Sequence, residues 1–252
     1  MSASFSIVIT CHREKGYLNY CLRSVKDNLN LHLSLFPDSL YEIILVLDSA
    51  DVETIEIAQN WVKSNNHSEI IHTSNKDVGL SRNLGISSSI HDYIFLLDGD
   101  DCWGISWLTK SLQQIIHDDN LSILHPELVI YREQEIEKVR QHIGTDDAIF
   151  DAWVLSYENI WTSSFLCPRR LFDSIVFPSG STNPSEIYSY EDWSFFRESC
   201  NLSIPHRVVP KTVHLVNKKL ESNTISSSKL NQIPWPSNLF INLLKVENHR
   251  EK

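Results

Sequence analysis

No apolar run in the sequence approaches the roughly 18 residues a helix needs to cross a bilayer, so no spanning helix is expected. The opening residues Met1-Ser2-Ala3-Ser4-Phe5 lack the basic region and apolar stretch of a secretory signal, and a cytoplasmic location is the expectation. Cysteine is used sparingly: Cys11, Cys21, Cys102, Cys167 and Cys200 form an odd set with no C-x-x-C pair, which argues against a disulfide framework and a structural zinc site. Positive charge is also short. With 22 Lys and Arg against 32 Asp and Glu, the formal net charge is −10, and nucleic-acid partners are not expected. The acidity has two readings: it aids solubility, or it serves a chain that recruits a divalent cation to hold a phosphorylated ligand.

Two further absences remove function classes. The residues after the first apolar run, Thr10-Cys11-His12-Arg13-Glu14, contain no glycine, whereas a sugar-phosphate nucleotidyltransferase needs a phosphate-cradling glycine loop there. The first aspartate is Asp27, so the end of that run offers no nucleophile for an aspartyl phosphatase.

What is present is a βαβ rhythm. Short apolar, β-branched runs at 5–10 (FSIVIT), 41–48 (YEIILVLD), 69–73 (EIIHT) and 93–97 (YIFLL) predict strands. Helical segments are predicted between them at 17–33, 52–64 and 79–89. In the first, Leu18, Cys21, Leu22 and Val25 fall on one face. Such alternation predicts an α/β fold with a mainly parallel central sheet and helices on both faces. Beyond a helix at 107–117 the rhythm loosens. Strands are predicted at 121–125 and 128–132, interrupted by Pro126, with 135–142 as a hairpin partner. Further strands are predicted at 161–167 and 207–216, and helices at 168–175 and 191–199. A loop is expected at 221–231, then a closing helix at 235–247 with Pro236 in its first turn. The whole reads as one domain: a ligand-binding half at about 1–120, an irregular second half at about 121–228 and a terminal helix at about 229–252.

Ligands of open α/β sheets bind beyond the carboxyl ends of the strands. There the sequence places Thr10 to Glu14, Asp48, residues 73–76 and Asp98-Gly99-Asp100-Asp101. Three carboxylates within four residues repel one another unless solvent or a cation neutralises them. Asp98 and Asp100 lie two apart in extended chain and face one way, and Gly99 permits close backbone approach. Oxygen-only donors favour Mg²⁺ or Mn²⁺ over zinc. The alternative is a polar turn ahead of the next helix.

The stretch 75–101, NKDVGLSRNLGISSSIHDYIFLLDGDD, resembles family 2 glycosyltransferases of the GT-A fold, through Asn75, Gly79, Ser81, Arg82, Asn83, Gly85, Leu97, Asp98, Asp100 and Asp101. The resemblance extends over about residues 5–228. It takes in SIVITCHREKGYLNYCLRSV with Thr10, Cys11, His12 and Glu14, the LVLD run ending at Asp48, NIWTSSFLCPRRLF, Tyr190-Glu191-Asp192-Trp193, and His214 followed by Lys218 and Lys219. Thr10 and His12 stand where the family usually has Pro and Tyr, and Lys where it has Arg.

The resemblance implies inverting transfer from a nucleotide-diphosphate sugar, foremost a UDP-sugar, to a glycan or lipid-linked glycan acceptor in bacterial surface polysaccharide synthesis. It implies Mn²⁺ or Mg²⁺ on Asp100, with Asp98 at the ribose or the ion and His214 completing the shell. Asp192 becomes the base and Glu191 the residue positioning the acceptor. Thr10, Cys11, His12, Glu14, Asp48, Asn75, Lys76, Gly79, Arg82, Asp98 and Gly99 form the donor site, with Arg82 either contacting the donor or orienting Asp98 through an ion pair. Peripheral association with the inner face of the membrane and membership of a larger glycan-synthesis complex are compatible with this reading. The rival is a non-catalytic nucleotide-sugar or glycan-binding module. A binding module would have no use for a base, and the Glu191-Asp192 pair argues against it.

Overall fold

The computed structural model describes residues 3–118, 121–133, 136–180, 183, 185–219 and 223–250. Among these, the main sheet runs β3 (Ser68–Thr73), β2 (Leu40–Asp48), β1 (Ser4–Cys11), β4 (Tyr93–Asp98), β8 (Leu166–Pro168), β6 (Ile123–Glu133), β10 (His206–Asn217) and β5 (Cys102–Trp103), with β7 (Ile136–Gln141) beside β6. The first four strands are mutually parallel; β8 lies antiparallel between β4 and β6, so strands of both halves of the chain share one sheet. Helices α1 (Gly16–Leu35), α2 (Val52–Lys63), α3 (Val78–Ser88), α4 (Trp107–Ile116), α5 (Glu191–Asn201), α6 (Asn223–Lys229) and α7 (Leu239–Arg250) complete it, with a small pair formed by β9 (Tyr188–Ser189) and β11 (Ile233–Pro234).

The central strands bury both faces, and their side chains alternate between two cores. Phe5, Ile7, Ile9, Ile43, Leu45 and Leu47 pack toward α1, α2 and α4. Val8, Ile44, Val46, Ile94 and Leu96 pack on the other face with Phe165, Phe177, Phe195 and Phe196. The chain leaves β1 for β2 on one side and returns to β4 on the other. The cleft beyond Thr10 and Asp98 therefore lies at the topological switch point, where open α/β sheets bind ligands.

The structure departs from the sequence reading in the second half. Pro126 does not interrupt β6. It lies beside an irregularity of β10 between Val209 and Val213, where the Thr212 hydroxyl accepts from Glu127 N at 3.0 Å, and a residue without an N–H is tolerated at such a bulge. The strand expected at 161–167 shortens to β8 because Trp161 to Ser164 spend their side chains on bonds to Ile143, His214, Asp98 and Trp103. Residues 169–173 form a 3-10 turn rather than a longer helix. Within the expected loop 221–231, α6 forms and docks through buried Ser227, whose hydroxyl meets Ser189 at 2.9 Å; residues 221 and 222 lie outside the described residues. Helix α7 starts at Leu239 rather than at 235. Pro234 pairs with Ser189, and Trp235 donates its N–H to Ser194 Oγ at 2.9 Å and stacks on Tyr188, so Pro236 precedes the helix.

A stack of imidazoles sits in the second core. His125 and His206 rings lie 5.1 Å apart and 7° from parallel, and Trp161 covers His206 at 3.9 Å. Their facing nitrogens are 2.8 Å apart, and Ser199 bonds the far nitrogen of His206 at 2.7 Å. Burial pushes His206 and the neighbouring His142 down to about 3 and His125 well below the ordinary value. The unfolded chain then binds protons that the folded chain does not, so this contribution is complete above pH ~6.5 and is lost as pH falls toward the folded values. Between pH 4 and 6 the unfolding free energy of His142→Gln should rise with pH less steeply than wild type, by about 1.4 kcal/mol per pH unit. Equal slopes in urea titrations would contradict a neutral His142.

Candidate active site

The cleft is organised around one buried guanidinium. Arg82, from the first turns of α3, directs Nη2 to both oxygens of Asp98 at 2.8 and 3.1 Å and Nη1 to Glu191 Oε1 at the start of α5. It joins the two halves of the chain through a carboxylate on each side. Burial opposes its charge, but Asp98 and Glu191 outweigh that and raise its pKa further. The sequence left Arg82 between a donor contact and an ion pair with Asp98; the ion pair forms, and Glu191 shares it.

Asp98 ends β4 and also accepts from Thr10 Oγ1 at 2.9 Å and Ser163 Oγ at 2.7 Å. Burial alone would raise its pKa, but Arg82 and the two hydroxyls hold it below the usual carboxylate range. Four donor contacts use the four lone-pair positions of the carboxylate, which leaves Asp98 poorly suited to ligate an ion directly.

Asp100 and Asp101 point to different partners. Asp101 is buried, accepts from Asn217 N at 3.1 Å and has His214 Nε2 3.1 Å from Oδ2. Burial, only partly offset by the His214 contact, raises it to about 7. Asp101 thus fastens the β4–β5 turn to β10, assisted by Asn217 Nδ2, which donates to Asp100 O at 2.6 Å. His214 is fully buried, with Nδ1 3.1 Å from Thr162 Oγ1 and Nε2 toward Asp101. Nδ1 is engaged by Thr162, whereas the buried Nε2 faces Asp101 without a hydrogen bond among the described residues.

Asp100 Oδ2 instead lies 2.9 Å from Lys219 Nζ, which also pairs with Glu14 Oε2. Burial is the main cause of a raised Asp100 pKa, reinforced by Glu14 and opposed by Lys219. Among the described residues no group of three His, Cys, Asp or Glu side chains is placed to hold a metal ion. A hard cation that relies on one or two carboxylates and the ligand's own phosphates needs no such cage. The all-oxygen Glu14–Asp100 pair, already drawn around an ammonium, suits that arrangement.

The remaining donor-side residues divide sharply. Asp48 is buried and accepts from Lys76 N at 2.8 Å, Asp77 N at 2.9 Å and Ser81 Oγ at 2.8 Å, so its carboxylate shapes the loop into α3. His12 Nδ1 lies 2.5 Å from Asp48 O, and His12, Asn75 and Lys76 are exposed at the rim. Cys11 turns its side chain into the core, its thiol raised by burial, so that side chain is withdrawn from a ligand. Gly79 and Gly99 serve packing: a Cβ on Gly79 would stand 2.1 Å from Pro178 O, and one on Gly99 would stand 2.8 Å from Cys11 Sγ.

On the opposite wall, Glu191 is buried against Arg82 and holds the guanidinium. Burial raises it, with the neighbouring Asp192 adding to the effect and Arg82 opposing. Asp192 is half-buried and accepts from Asn159 Nδ2 at 3.0 Å and Trp193 N at 2.7 Å. Burial raises its pKa too, against the pull of Arg82. Tyr190, immediately before them, adopts φ 57° and ψ 60°, a left-handed conformation costing a bulky residue about 1–3 kcal/mol. That turn sets the direction in which α5 presents both carboxylates. Sequence reasoning missed Ser163, Asn159, Asn217 and Asp77, which caps α3 and accepts from Gly180 N at 3.0 Å.

Comparison with known proteins bears on the family and the fold. The model of the family described as glycosyl transferase family 2 matches residues 6–183. An uncharacterized glycosyltransferase of Haemophilus influenzae is 22% identical over 247 residues, 96% of this chain and 89% of that protein. EpsJ, an uncharacterized glycosyltransferase of Bacillus subtilis, is 31% identical over 96 residues, covering 38% of this chain but only 26% of its own length. Among solved structures, S. aureus TarS in complex with UDP-GlcNAc superposes with a TM-score of 0.64 at 16% identity, over 90% of this chain and 61% of that one, which shows a shared fold. No helix among the described residues is long and apolar enough to cross a membrane. With a family match over well more than half of its length, the chain belongs to glycosyl transferase family 2.

Proposed function

We propose that this chain transfers a sugar, with inversion, from a nucleotide-diphosphate sugar to a hydroxyl of a glycan or lipid-linked glycan acceptor. The observation that carries the reading is the Asp98–Arg82–Glu191 bridge, which ties the end of β4 to the start of α5 and sets Asp192 beside it across the cleft. A UDP-sugar is the foremost donor, a reading supported by the UDP-GlcNAc complex of TarS. Surface polysaccharide synthesis is the proposed setting.

In this reading Thr10, Ser163 and Arg82 hold Asp98 ionised and fixed at the floor of the donor site. Glu14 and Asp100 would hold Mn²⁺ or Mg²⁺, which when bound offsets the charge of the departing diphosphate. Asp192 takes the proton of the acceptor hydroxyl as that oxygen attacks. Its raised pKa makes it a better base than an exposed aspartate. Asn159 donates to Asp192 Oδ2 and Trp193 N to Oδ1, and the two bonds fix the rotamer.

The test is nucleotide release from a panel of UDP-, GDP-, CDP- and TDP-sugars in Mn²⁺, with and without glycan acceptors. One donor class should be turned over faster when acceptor is present, and chelation should suppress the rate. No release from any donor would count against transferase activity, and release undiminished by chelation would count against the metal.

A further inference from the structure

Lys219, in the segment that follows His214, has an unusual address for a cation. Its Nζ lies 2.9 Å from Asp100 Oδ2 and pairs with Glu14 Oε2, two carboxylates far apart in sequence. Its side chain is only 21% exposed, and Glu14's is 9% exposed. The same Glu14 accepts from His12 N through its other oxygen at 3.0 Å, so the carboxylate is pinned on one side and presented on the other. Gly99 makes this close approach possible, since a Cβ there would stand 3.1 Å from Glu14 Cγ. A buried carboxylate, Glu14, and a half-buried one, Asp100, both lie against the same ammonium, which Lys219 supplies from two residues beyond β10. Asn217, the last residue of β10, is itself tied to Asp100 O and Asp101 Oδ1, so the segment leading to Lys219 is anchored on the same turn.

We propose that Lys219 is the resident counter-cation of the Glu14–Asp100 pair, and that a divalent ion competes with it for those carboxylates. The proposal rests on the reading of Asp100 as the cation-binding residue given above. The two cations exclude each other, because an ammonium in hydrogen-bonding contact with Asp100 Oδ2 occupies the space an ion would need. Lys219 therefore keeps the site neutralised between turnovers and lowers the affinity for free metal. Metal affinity is reduced by the fraction of molecules in which Lys219 holds the site.

Mn²⁺ binding without nucleotide tests this, measured by the loss of the free-ion electron paramagnetic resonance signal for wild type, Lys219→Met and Asp100→Asn. Lys219→Met should bind Mn²⁺ roughly tenfold more tightly than wild type, and Asp100→Asn should lose binding. Unchanged or weaker binding in Lys219→Met, or no binding in either protein, overturns the competition. If Asp100→Asn retains full Mn²⁺ binding, the assignment of Asp100 fails, a result distinct from failure of the competition alone. A second measurement needs no variant. Reductive methylation of the wild-type protein, read by mass spectrometry, should modify Lys219 several-fold faster with Mn²⁺ than without, relative to exposed Lys63. An Mn²⁺-independent ratio contradicts displacement.

Discussion

Asp192→Asn should lower kcat by about 10²–10⁴-fold while leaving donor affinity and thermal stability close to wild type. The change is isosteric, removes the ability to accept a proton, and costs one of the two N–H bonds that Asp192 accepts, unless the Asn159 amide turns over to accept in its place. Asp192 makes its contacts with Asn159 and Trp193 N, and the Asp98 cluster is anchored elsewhere, so the donor floor is untouched. A pH profile carries the same claim with a sign. The base must be ionised, so kcat should rise with pH through a midpoint above the usual carboxylate range, because burial raises Asp192. Below that midpoint the carboxyl is protonated and inactive. A variant retaining a third of the wild-type rate would remove Asp192 from the chemistry.

Arg82→Leu should be the most damaging single change to the fold. Arg82 is almost fully buried, and its removal leaves Asp98 and Glu191 facing each other without the charge that holds both. Breaking a buried ion pair from one side costs about 3–5 kcal/mol, a large share of the total stability of a domain. Activity should fall with it, since Asp98 would lose its fork and α5 its link to α3. Arg82→Lys keeps the charge but cannot address two carboxylates in a planar fork, so an intermediate loss is expected. Urea unfolding followed by tryptophan fluorescence measures both. A loss under about 1 kcal/mol for Arg82→Leu would show that the bridge is not structural.

Which parts of this were legible in the sequence follows from how each part is encoded. The strands β1, β2 and β4 announced themselves because strands buried on both faces are apolar through their centres, the edge strand β3 through Ile70-Ile71, and α1 through its helical spacing. Asp98, Asp100 and Arg82 were found because local order and strand-end position coincide within one stretch. The second half was misread where side chains, rather than backbone ladders, set the conformation. Trp161 to Ser164 read as a strand, yet those four residues turn inward to bond four different parts of the molecule. Pairings between distant residues left no periodic trace. Lys219 with Glu14, Ser163 with Asp98 and Asn159 with Asp192 depend on the packed fold alone. Glu191 and Asp192 were named together, but the left-handed Tyr190 separates their tasks, sending Glu191 to Arg82 and leaving Asp192 at the cleft.

The central claim is transfer from a nucleotide sugar with Asp192 as the base. The most direct measurement is acceptor-dependent nucleotide release across the donor panel, run in parallel for wild type and Asp192→Asn at matched donor binding. The account predicts one donor class released by wild type and a loss of about 10²-fold or more in the variant. Equal release by both proteins, or none by wild type from any donor, would contradict it.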